Sequence, residues 1–230
     1  MRWIIAGLMW LAAGAAFGFT DDARWQMHML AAGAAYERGD HGETERQLSA
    51  AIEEAEAFGR GDGRLIAALD GLADFKRLRG NYRDALALYG RALVVREIAF
   101  GPRHPEVATG LKHLAQLHQM RGDYAAAEPL FKQSLAIYRA ALGPGHAHVG
   151  TLLNNLAELN HAQGRHAEAE TGYRDAIAIW ESSLGPAHGF VATALENYAA
   201  LLNETGRGAR AEALQERAIR IRTNSKEGGR

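Results

Sequence analysis

The sequence predicts an all-α solenoid of about five antiparallel helix pairs, and three observations lead there. A Gly-Pro pair recurs at Gly101-Pro102, Gly143-Pro144 and Gly185-Pro186, in two steps of 42 residues. A second glycine series, Gly39, Gly80, Gly122, Gly164 and Gly206, keeps the same ruler, with steps of 41, 42, 42 and 42. A constant interval of this size marks one supersecondary unit, copied and stacked. Thirdly, apolar residues return every three or four positions, as in Leu69, Leu72, Ala73 and in Leu153, Leu156, Ala157. That is the period of a helix, and no stretch alternates as a half-buried strand would.

Composition narrows the function. The 230 residues are 47% hydrophobic, which is ample for a buried core, and the formal net charge of −1 lacks the basic excess of a nucleic-acid binder. The chain has no cysteine. Disulfides, thiolate metal sites, a cysteine nucleophile and a lipid-bearing lipoprotein cysteine are therefore all excluded.

At the N-terminus, Met1-Arg2 precedes an uncharged run from Trp3 to Thr20, and Asp21-Asp22 follow. One positive charge, an apolar centre and the small residues Ala15, Ala16 and Gly18 fit a secretory signal peptide over 1–20, cleaved after Ala16 or Gly18. The rival is an N-terminal membrane anchor, because the run approaches the roughly 20 residues that span a bilayer. The glycines at 7, 14 and 18 favour cleavage. The expected localisation is thus exported: periplasmic or secreted after cleavage, or held at a membrane by this segment. Helix pairs are expected at about 23–60, 64–100, 106–142, 148–184 and 190–223, with a disordered tail over 224–230.

Each pair is punctuated in the same way. The turn glycine ends one helix in a left-handed conformation, and an Asp or Asn behind it, as at Asp40, Asn81 and Asp123, suits the cap of the next. Seven residues before the glycine stand Ala32, Ala73, Ala115, Ala157 and Ala199. Five after it stand Thr44, Ala85, Ala127, Ala169 and Ala211, and twelve after it Ala51, Ala92, Ser134, Ala176 and Ala218. Small side chains here let paired helices approach closely. Nine after the glycine a large group, Leu48, Tyr89, Phe131 or Tyr173, is expected to fill the space toward the next pair. In the last pair that place holds the polar Gln215, as a terminal repeat requires.

This set of residues resembles the tetratricopeptide repeat. The 42-residue period, the linkers Leu142-Gly143-Pro144 and Leu184-Gly185-Pro186, and the run Leu152-Leu153-Asn154-Asn155-Leu156-Ala157 resemble its kinesin-light-chain-type variant. The resemblance covers 23–223 and implies a right-handed superhelix that binds proteins. The first repeat departs from the pattern: His28 and Ala31 replace large apolar residues, and its linker Gly59-Arg60-Gly61-Asp62-Gly63 lacks the Pro and His. Asn155 and Asn197 match a family asparagine expected to bond within or between repeats.

No metal centre is expected from the histidines, and His146-Ala147-His148 alone would chelate only weakly without a third ligand. His104, His146 and His188 occupy equivalent linkers, so in a stacked array they lie on the order of 10 Å apart, whereas ligands of one zinc lie about 2 Å from it. Each is expected to order its linker by hydrogen-bonding the backbone before the next helix. Pro105 suits a helix start. His113, His118, His161 and His166 lack an adjacent nucleophile pattern. There is no HExxH spacing, no phosphate-cradling glycine loop and no Gly-x-Ser-x-Gly elbow. No enzyme activity and no cofactor are expected; the remaining catalytic alternative is a hydrolase that uses His161 with Glu158.

The first helix of each repeat is expected to line the concave surface. With Leu153, Leu156 and Ala157 turned toward the second helix, Thr151, Asn154, Glu158 and His161 share the other face. Shifting by one period gives Thr109, Lys112, Gln116 and Gln119 upstream, and Thr193, Glu196, Ala200 and Asn203 downstream. The preceding repeat offers Ala67, Asp70, Asp74 and Arg77. This polar, amide-rich lining suits an extended peptide or a docked helix of a partner protein. Its acids Asp70, Asp74, Glu158 and Glu196 disfavour a clamp for a C-terminal carboxylate. The alternative is head-to-tail self-assembly into a homo-oligomer, since acids dominate residues 21–60 and arginines dominate 207–230.

Overall fold

The computed structural model describes residues 21–227. The expected signal peptide or anchor therefore lies outside the described residues. Ten helices and no strand occur among them. The chain forms two compact units, Met1–Ala99 and Phe100–Arg230.

The first unit contains α1 (Asp21–Glu37), α2 (His41–Glu56), α3 (Gly63–Leu78) and α4 (Tyr82–Phe100, all but its last residue). Its core joins Ala32, Leu48, Ala51, Ile52 and Ala55 with Leu65, Leu69, Leu72, Phe75, Ala92 and Val95. The atypical first repeat is a complete helix pair. His28, standing where an apolar residue was expected, shares a 2.6 Å hydrogen bond between its Nδ1 and Gln47 Oε1. The linker without Pro and His is capped all the same, because Asp62 accepts from the Arg64 amide at 2.8 Å. Asp62 stands one 42-residue period before His104.

The second unit contains α5 (Pro105–Met120), α6 (Tyr124–Leu142), α7 (Ala147–Ala162), α8 (His166–Leu184), α9 (Gly189–Glu204) and α10 (Gly208–Glu227). Helices pair as α5 with α6, α7 with α8 and α9 with α10, and each pair packs on the next. Residues 224–227, expected in a disordered tail, belong to α10, and residues 228–230 lie outside the described residues. Backbone bonding of the last turns is assisted by Thr223 Oγ1, which donates to the carbonyls of Ile219 and Arg220.

The periodic positions account for the packing. All fifteen small residues of the three series are at most 3% exposed. Where the small residue is polar, its hydroxyl is satisfied: Thr44 donates to the Asp40 carbonyl at 2.8 Å, and Ser134 to the Ala108 carbonyl at 2.7 Å. Leu48, Tyr89, Phe131 and Tyr173 are at most 5% exposed, and Gln215 is exposed. The closest approach is at Gly172, where an added Cβ would lie 2.9 Å from Ala157 Cβ and 3.1 Å from the Leu153 carbonyl oxygen.

The five turn glycines share φ between 73° and 76°, the left-handed region that glycine enters without a Cβ penalty. Behind them Asp40 caps the Glu43 amide at 3.0 Å and Asp123 the Ala126 amide at 3.2 Å. The three linker histidines are N-caps. The Nδ1 atoms of His104, His146 and His188 accept from the amides of Glu106, His148 and Phe190, each at 3.2 Å. An imidazole that accepts at Nδ1 is neutral and protonated on Nε2. Pro105 occupies the first turn of α5, where a missing N–H costs nothing.

Candidate partner-binding face

The predicted face residues lie on α3 in the first unit and on α5, α7 and α9 in the second, and many of their side chains are already engaged. In the first unit, Asp70 is bonded by both terminal nitrogens of Arg96, whose side chain is 4% exposed. Asp74 accepts from the Tyr89 hydroxyl at 2.7 Å and from Arg77 Nη2 at 2.8 Å. Burial raises the Tyr89 phenol above its ordinary value, and the Asp74 charge adds to this. These acids hold α3 to α4 and fix Arg77.

In the second unit the three first helices differ. On α5, the Thr109 hydroxyl meets the Tyr138 hydroxyl at 2.7 Å, and Lys112, Gln116 and Gln119 are half-buried. On α9, Glu196 takes two 2.6 Å bonds from Arg222 of α10, which hold its carboxyl below the usual range. Thr193 Oγ1 donates to the Gly189 carbonyl and accepts from the same arginine, and Asn203 is exposed.

On α7, Thr151 donates to the Ala147 carbonyl, and two further groups of side chains bond to α9. Glu158 Oε1 accepts from Asn154 Nδ2 and from Asn197 Nδ2, both at 2.7 Å. Asn197 thus bonds between repeats as expected, whereas the buried Nδ2 of Asn155 has no partner among the described residues. Asn154 is 5% exposed, and its Oδ1 has no donor. Desolvation pushes the Glu158 carboxyl above its ordinary value, opposed by the two amide bonds. His161 Nε2 lies 2.8 Å from Glu204 Oε2 and its ring meets Tyr173 edge-on at 6.5 Å. The histidine therefore faces Glu204 rather than Glu158, and no hydroxyl side chain bonds to it among the described residues.

Sequence periodicity located this face but missed Arg96, Tyr138 and Arg222, which share one repeat position on the second helices but differ in residue type, and Glu204, which ends α9. The basic C-terminal end is also partly consumed. Arg207 pairs with Glu170 at 2.5 Å, Arg222 with Glu196, and Arg217 with Glu181.

A helix-pair array with glycine turns, buried small residues and a polar first-helix face defines the class as an α-solenoid of helical repeats. The tetratricopeptide-repeat family profile matches residues 64–140 and 148–224, and the chain belongs to that family. Among solved structures it is similar to BtubC (BKLC) from P. vanneervenii, with a TM-score of 0.77 and 23% identity over 90% of this chain and 82% of that one. It also resembles a Podosopora anserina kinesin-light-chain candidate of nearly identical TPR-like repeats, with a TM-score of 0.70 and 20% identity over 90% of this chain and 98% of that one. A MamA protein from Desulfovibrio magneticus RS-1 is similar at a TM-score of 0.60 and 13% identity, over 87% and 96% of the two chains. A search of curated proteins found no match.

Proposed function

We propose that this chain is a non-enzymatic protein-interaction module that binds a peptide or helix of a partner protein along the first-helix face of α5, α7 and α9. The observation that supports this most is the row of hydrogen-bonding groups left over after internal pairing. Gln116 and Gln119 make no side-chain hydrogen bond among the described residues, and Asn203 is exposed. Amide side chains offer both a donor and an acceptor, which suits a peptide backbone. A photocrosslinking residue at Gln116, compared with one at Lys132 on the second helix, tests the reading. Partner capture from Gln116 alone supports it; equal capture from both positions, or from Lys132 alone, rejects the face.

Export, with cleavage after Ala16 or Gly18, belongs to the same proposal and rests on the sequence of that segment. Among the described residues no helix is long and apolar enough to cross a membrane. The intact mass of the mature chain tests it, and a full-length product removes cleavage from the reading.

A second reading, head-to-tail assembly of copies, draws on the acidic first repeat and the basic last one. Its weak point is that Arg207, Arg217 and Arg222 pair within their own unit. A species that stays monomeric at low salt sinks it.

A further inference from the structure

Glu158 differs from the ion-paired carboxylates of the second unit. Glu128 is paired with Arg165 and Lys132, Glu170 with Arg207, Glu181 with Arg217, and Glu196 with Arg222. Each of those acids has a cationic partner within its unit. Glu158 has none among the described residues, although it is only partly exposed and sits midway along α7 between α5 and α9. Its two hydrogen bonds come from neutral amides and both fall on Oε1. The second oxygen, Oε2, has no protein donor and is not sealed from solvent.

The groups beside it are also acceptors. Asn154, which donates its Nδ2 to Glu158, is 5% exposed and leaves its Oδ1 without a donor. One turn along α7, His161 meets Glu204, a second carboxylate whose side chain is 60% exposed. The cluster therefore holds negative charge and unmet acceptors, and two amide bonds fix the orientation of its central carboxylate. A fixed carboxylate with a free oxygen open to solvent suits a group with several donors and a positive charge. Ammonium offers three donors and guanidinium five. A charge-assisted bond to such a group is about twice as strong as a neutral one.

We propose that Glu158, oriented by Asn154 and Asn197, is the socket for a lysine or arginine side chain of the bound peptide, with Glu204 as the outer carboxylate of the same site. This rests on the reading of the first-helix face as a peptide-binding surface. The partner's recognised segment then carries a basic residue at one fixed position, and that residue lies over α7 and α9.

The test is selection of a displayed library of random dodecapeptides on the full chain, repeated on Glu158→Gln. The glutamine keeps an oxygen for Asn154 and Asn197 but removes the charge. The expected result is a recovered family with Lys or Arg at one invariant position, lost in selection on Glu158→Gln. A synthetic peptide of that family should bind the variant about tenfold or more weakly, as expected for one charge-assisted hydrogen bond. Replacing the invariant basic residue by glutamine in the peptide should then weaken binding to the wild type but not further to the variant. Peptides recovered without a basic preference, or with one that Glu158→Gln leaves intact, overturn the socket and leave the surface reading standing. Recovery of no peptide at all overturns both.

Discussion

Removing the three imidazole caps together should lower the melting temperature of the chain by about 6–12 °C. The perturbation is the triple variant His104→Ala, His146→Ala, His188→Ala. Each histidine supplies one acceptor to one N-terminal amide of α5, α7 or α9, and the three contacts have the same 3.2 Å geometry. Loss of an N-cap costs about 1 kcal/mol. The caps stand on different helices and share no partner, so their effects should add to about 3 kcal/mol. For a chain of this size each kcal/mol moves the midpoint by about 2–4 °C, which gives the quoted range. The assay is far-UV circular dichroism during a thermal ramp, with urea titration as a second measure.

The control is the matching triple aspartate variant. His104 stacks on Phe100 at 4.7 Å, His146 on His148 at 5.0 Å, and His188 meets Phe190 at 4.8 Å, so alanine removes ring contacts as well as caps. Aspartate removes the same ring contacts but keeps an acceptor, and Asp62 already does this work for α3. Its negative charge also lies favourably at a helix N-terminus. The aspartate variant should therefore melt near the wild type. If it melts as low as the alanine variant, the histidines act through their rings and the capping argument is refuted.

Three further predictions use other contacts. Glu158 has a folded-state carboxyl raised by desolvation, so the folded chain holds that proton more tightly than the unfolded chain. Stability from this residue is accordingly lost as pH rises through the window above the ordinary 4.5, and urea midpoints of wild type and Glu158→Gln should diverge there in favour of the variant. Arg96→Ala leaves Asp70 beside α4 without its cation, and removing one partner of a buried pair costs about 3–5 kcal/mol; a smaller urea-midpoint effect than about 1 kcal/mol would mean that solvent reaches the pair. Gly172→Ala drives a methyl to within 2.9 Å of Ala157 Cβ, and overpacking of this kind costs about 1–3 kcal/mol. Differential scanning calorimetry should show a lower midpoint, whereas an unchanged one would mean that α7 and α8 separate freely.

The fold was legible in the sequence because its determinants are local and repeated. Turn glycines, small residues and linker histidines each recur at one interval, and each acts within a few residues of its own position. Asp62 shows the limit of that legibility. It performs the histidine's function with a different residue type, so a search for Pro and His in the first linker finds nothing. The binding face was legible as a register but not as a set of available groups. Helical spacing can say that Asp70, Glu158 and Glu196 point the same way. It cannot say that Arg96 neutralises the first from 26 residues along the chain, or that Arg222 neutralises the third from the same separation. Both arginines stand at one repeat position, three 42-residue periods apart, but the two positions between them hold Tyr138 and Trp180, so residue type hides the recurrence. Glu158 is the member of the series for which that subtraction leaves an oriented, uncompensated charge, and its significance lies in the partner it lacks among the described residues rather than in its position.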